Sequence, residues 1–132
     1  MLAAASLLDG NTEDIKVTSL YKTHEFNGET KQLVLRSRNT KLKKKYGGPQ
    51  IYTVKIRGEN GESKIVGSTK VKVYCSCHDF IFRRAWCLNK ENSLLIPEGF
   101  LPEPPTKTNP TCTKKGCKHV SHALQYLIST GR

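Results

Sequence analysis

The chain has 132 residues, enough for one modest domain and too few for two full-sized ones. Its 22 Lys+Arg against 11 Asp+Glu give a formal charge of +11, and with 36% hydrophobic residues any core is thin, which at this size calls for a staple. No apolar run approaches the roughly 18 residues of a membrane span, and Met1–Leu8 lacks the charged n-region of an export signal.

In chain order, residues 1–14 read as an N-terminal arm, apolar at Met1–Leu8 and suited to packing on a neighbour. Ile15, Val17 and Leu20 alternate loosely, and a second apolar stretch covers Gln32–Leu35, so both segments are expected to be strands. Arg36–Lys45 then places Arg36, Arg38, Lys41, Lys43, Lys44 and Lys45 within ten positions and runs into Tyr46-Gly47-Gly48-Pro49, the signature of a basic loop over 36–48. Ile51–Ile56 alternates Tyr52, Val54 and Ile56 on one face with Ile51, Thr53 and Lys55 on the other, and Gly58-Glu59-Asn60-Gly61 supplies a turn. The β pattern repeats over Lys64–Val66 and Thr69–Cys75, with Val71, Val73 and Cys75 on one face. Phe80–Leu88 is amphipathic without declaring its type. Residues 97–110 hold five of the six prolines and read as a wrapped surface loop, long enough to suggest contact with something else. Val120, Leu124, Leu127 and Ile128 fall at helical spacing and predict a C-terminal helix. The expectation is an α+β fold: a small antiparallel β-sheet over 15–74, followed by a second module over 75–132 with one C-terminal helix, together one compact domain.

The chemistry concentrates in Cys75-Ser76-Cys77, at a strand end, and Cys117-Lys118-His119, at the mouth of the last helix. An odd count of five cysteines without an export signal argues against a closed disulfide framework and for thiols kept reduced for metal. A Cys3His set closes the tetrahedral shell that Zn²⁺ prefers, leaving no open position, so the ion would be structural. Alternate residues of a strand point the same way, so a one-residue spacer aims both thiolates at one ion. Isolated, each of these residues reads better as an ordinary buried cysteine or core histidine; four at these spacings favour metal. Cys87, Cys112, His78 and His122 are weaker rivals. Cys87 beside Trp86 reads as a small buried hydrophobe, and Cys112 has no second donor one or two residues away.

At these residues the chain resembles the SWIM-type zinc finger, whose pattern is Cys-x-Cys, a variable spacer, then Cys-x-His on a ββα scaffold; the spacer here is longer than usual. More narrowly, Cys75-Ser76-Cys77-His78-Asp79-Phe80, Arg83, Asn109-Pro110 and Cys117-Lys118-His119 are similar to a group of small tailed-phage virion-associated proteins. That group reads C-S-C-P-D-F, a Tyr/Phe-Arg pair, N-P and C-K-H, with His78 here in place of Pro and with Cys87 and Cys112 in addition. The resemblance covers Val71–Leu127 well and the preceding strands in outline. It implies a virion component assembled in the bacterial host cytoplasm, with other proteins of a multi-subunit assembly as partners.

A deaminase His-x-Glu with Pro-Cys-x-x-Cys, a Walker loop, a zincin His-Glu-x-x-His and paired carboxylates are all missing from the sequence, so no enzyme is expected. Asp79 is expected to cap the turn after the cysteine pair by accepting from backbone N–H groups, leaving Arg83 and Arg84 to face solvent or a phosphate. The basic residues Arg36, Arg38, Lys41, Lys43, Lys44 and Lys45 read either as a solvated, partner-facing loop or as phosphate contacts. The sequence therefore supports a non-enzymatic, zinc-binding structural or adaptor protein, with a nucleic-acid-binding zinc finger as the alternative. Non-specific DNA contact fits either reading, and neither membrane nor small-molecule substrate is expected.

Overall fold

The computed structural model describes residues 1–8, 15–25, 28–37, 50–96, 100, 102–104, 109 and 115–132. Arg38, Lys41, Lys43, Lys44, Lys45, Cys112 and most of the proline segment lie outside the described residues. The fold is α+β. Five strands, β1 (Leu2–Ala3), β2 (Ile15–Glu25), β3 (Gly28–Ser37), β4 (Gln50–Gly58) and β5 (Lys70–Cys75), form one antiparallel sheet in the order β1-β5-β4-β3-β2. A helical turn at Phe80–Arg84 runs into α1 (Ala85–Lys90), and α2 (Lys118–Thr130) closes the chain.

The loose alternation in β2 has a structural cause. Val17 pairs with Leu35 and Ser19 with Val34, so Thr18 is an extra residue, a β-bulge whose hydroxyl donates to the Val34 carbonyl at 3.0 Å. The bulge resets the parity, so Ile15, Val17 and Leu20 all face the core. One face of the sheet thereby carries Leu33, Leu35, Val54, Ile56, Val71, Val73 and Cys75, all buried, and α2 covers it with Val120, Ala123, Leu124 and Leu127. The helix ends where Gly131 adopts φ +72° and donates to the Ile128 carbonyl, while Arg132 N–H donates to Leu127, a left-handed C-cap of the kind glycine favours.

Three expectations are corrected. Met1–Leu8 packs on its own chain: β1 pairs with Val71 and Lys70, and Ala4 and Leu7 are buried in the core. Lys64–Val66 is not a strand, because Glu62 and Ser63 turn their carbonyls toward the ammonium of Lys31, and Ile65 plugs the core from an irregular connection between β4 and β5. Asp79 makes no capping bond; its carboxylate pairs with Arg83 at 2.8 Å and Arg84 at 3.5 Å. Phe80–Leu88, undeclared in sequence, is helical. Its first turn is wide, with Ala85 N–H donating to the Phe80 carbonyl five residues back.

Candidate metal centre

β5 carries Cys75 to the end of the sheet on the core face, in register with Val71 and Val73. The spacer residue Ser76 is held to β4 by two bonds, its N–H to the Thr53 carbonyl (3.1 Å) and Thr53 N–H to its hydroxyl (3.0 Å). With the spacer anchored, the chain turns so that Cys77 comes back beside Cys75. Phe80 N–H points at Cys77 Sγ (3.3 Å) and Cys77 N–H at Cys75 Sγ (3.5 Å). From the other side, Cys117 is the N-cap of α2 and its sulfur accepts from Val120 N–H at 3.5 Å. His119 follows in the first helical turn.

The ligand atoms of Cys75, Cys77, Cys117 and His119 all lie within 4.8 Å of one another, and all four residues are at most 4% exposed. A tetrahedral ion with Zn–S bonds of about 2.3 Å holds its sulfurs roughly 3.8 Å apart, so the cluster is already near coordination size. Burial pushes the Cys75 and Cys117 thiols up, whereas hydrogen bonds from Cys117 and Cys75 hold Cys77 far below the ordinary thiol range. His119 Nδ1 lies 3.9 Å from Cys117 Sγ, and its buried Nε2 has no hydrogen-bond partner among the described residues. Burying an imidazole whose Nε2 has no hydrogen-bond partner among the described residues, beside three sulfurs, is unfavourable unless something else satisfies it. A cation bound at their centre would. The quartet can hold a metal ion.

Two supporting residues carried no sequence signal for the site. The Tyr52 ring packs on His119 with centroids 4.1 Å apart, fixing the imidazole plane from β4. At Gly116 a Cβ would meet Val120 Cγ1 at 2.7 Å and Cβ at 2.9 Å, so only glycine lets the chain enter α2 this tightly; its N–H donates to the Leu7 carbonyl. The N-terminal turn thereby braces the Cys-x-His segment.

Of the weaker rivals, Cys87 is buried, as its reading as a small buried hydrophobe expects, but it is disulfide-bonded, which corrects the expectation that the thiols stay reduced, and neither His78 nor His122 belongs to the cluster. Arg84 is buried against Asp79, Arg83 is half-exposed on the same carboxylate, and Arg36 stands exposed on the face of the sheet away from α2. Among the described residues, no helix is long and apolar enough to cross a membrane. No protein-family model, curated protein or solved structure matches the chain.

Proposed function

We propose that the chain is a non-enzymatic, zinc-stapled structural or adaptor component of a macromolecular assembly, with Zn²⁺ held by Cys75, Cys77, Cys117 and His119 in a SWIM-like module. The observation that carries this reading is the burial of all four donors, two from a strand end and two from a helix start, at coordination spacing. Catalytic zinc keeps a position open to water or substrate; a quartet at most 4% exposed offers none. The order of the donors, Cys-x-Cys at a strand end and Cys-x-His opening a helix, is that of the SWIM pattern. A tailed-phage virion is the assembly implied by the resemblance of Cys75–Phe80, Asn109-Pro110 and Cys117–His119. Asn109 has a defined place in the fold. It is buried and donates to the Arg83 carbonyl at 2.8 Å, tying the proline segment to the helical turn after the cysteine pair.

Two measurements test this proposal separately. Elemental analysis of reduced, purified protein is expected to give one zinc per chain, and no zinc would remove the module. Quantitative mass spectrometry of purified phage particles is expected to find the chain at fixed copy number, and its absence would remove the virion.

A further inference from the structure

The sheet has a second face, and short of its last row, Glu25–Gly28, its charge is one-sided. Opposite α2, the cross-strand rows from Lys16–Arg36–Ile51 through Thr23–Thr30–Arg57–Lys72 contain Lys16, Arg36, Lys55, Arg57 and Lys72 and no carboxylate. Lys16 lies directly across from Arg36, and Arg57 directly across from Lys72. Like charges in directly opposed positions destabilise a sheet. Among the described residues no acidic side chain is paired with Lys16, Arg36, Lys55 or Lys72 to offset this. Between the two charged rows stands Tyr21, 55% exposed on edge strand β2, in the row that continues through Gln32 to Lys55. Repulsion between Lys16 and Arg36, neither of them paired with an acidic side chain among the described residues, is the pattern of a surface shaped for an external partner.

We propose that this open face of β2–β4 binds single-stranded nucleic acid. The cations stand along both ends and the middle of a sheet surface, where neighbouring strands are about 4.8 Å apart and same-face residues about 6.7 Å apart along each strand. They can follow a phosphate backbone. Tyr21 supplies a ring on which a base stacks, and the polar residues between supply donors and acceptors for base edges, the combination by which sheet surfaces hold unpaired bases. A duplex would meet the cations with its phosphates and leave Tyr21 unused, since its bases are already stacked. The proposal is independent of the metal centre, which lies on the other face of the sheet.

The test uses the full zinc-loaded chain and a fluorescein-labelled oligodeoxythymidine of about 20 nucleotides, longer than one typical binding site, titrated by anisotropy over a salt series. Tyr21→Ala is expected to weaken binding roughly 5- to 100-fold with little change in salt slope, as loss of one stacked base does. The triple variant Lys16→Ala/Arg36→Ala/Lys55→Ala is expected to flatten the slope of log K against log salt by about two, since each phosphate contact on a single strand contributes about 0.7. A charge-matched control, Lys22→Ala/Lys64→Ala/Lys90→Ala, removes exposed cations outside this face and should leave most of that slope in place. Unchanged zinc content and melting temperature show that the variants fold. The proposal is overturned if the control behaves like the triple variant, if duplex binds as tightly as single strand regardless of Tyr21, or if polyglutamate competes as well as the oligonucleotide, which would make the face a site for an acidic protein.

Discussion

The two ends of the sheet are closed by opposite means. At the β5 terminus, three cysteines and a histidine converge, and His119 Nε2 has no hydrogen-bond partner among the described residues. At the other end Lys31, fully buried, donates to Glu29 Oε2 at 2.7 Å, to the Ser63 carbonyl at 2.8 Å and to the Glu62 carbonyl at 3.4 Å. An ammonium has three N–H donors, and here each has an acceptor. The Lys31 end is satisfied by its own residues, whereas the cysteine end leaves His119 Nε2 without a partner among the described residues and could hold a metal ion. Burial alone therefore does not mark a ligand site; burial with unmet coordination demand does.

The sharpest way to break the comparison is at the metal end. Cys75→Ser or Cys117→Ser is expected to lose the zinc and folded structure together, because structural zinc contributes on the order of 10 kcal/mol and the unfolded chain has no preformed site. Cys87→Ser should keep one zinc per chain. Metal analysis alongside far-ultraviolet circular dichroism decides this. A cysteine variant that keeps both metal and fold would show that the cluster is ordinary core.

At the other end, Lys31→Met leaves Glu29 buried without its partner and is expected to lower stability by about 3–5 kcal/mol in urea denaturation, with zinc content unchanged. An intermediate effect is expected at the hinge between N-terminal turn and metal centre. In Gly116→Ala the new methyl group collides with Val120, destabilising by about 1–3 kcal/mol and weakening zinc affinity, measurable by competition with a chromophoric chelator.

The smallest effect is in pH. The hydrogen bond from Lys31 holds the Glu29 carboxyl below the ordinary carboxylate range, although burial opposes it. A group with a depressed folded pKa contributes stability that is fully present above its unfolded value of about 4.3 and is lost as pH falls through the folded value. Wild type is therefore expected to lose more stability than Glu29→Gln between neutral pH and acid below that range, with zinc loading checked at each pH. Equal slopes would show that Glu29 carries no pH-dependent stability.

Much of this was legible in local residue order. Strand parity follows from a two-residue period, so Tyr52, Val54 and Ile56, and likewise Val71, Val73 and Cys75, could be assigned to one face without coordinates. The same held for α2, whose apolar spacing named its buried stripe. The donor quartet was readable because metal ligation demands particular residue types at short local spacings. Lys64–Val66 misled because its short β-like pattern was overruled by Lys31, some thirty residues earlier, whose ammonium draws the neighbouring carbonyls of Glu62 and Ser63 out of any ladder.

By itself, then, the sequence determined periodicities, the donor set and the net charge, all properties of neighbours along the chain. The tertiary structure decided what depends on distant segments meeting: that Met1–Leu8 joins its own sheet, that a bulge at Thr18 keeps Leu20 in the core, and that Tyr52 stacks on His119. It also decided where the positive charge stands. Lys16, Arg36, Lys55 and Lys72 are scattered over more than fifty residues, and only strand pairing, which sets residues far apart in sequence about 5 Å apart in space, gathers them on one face.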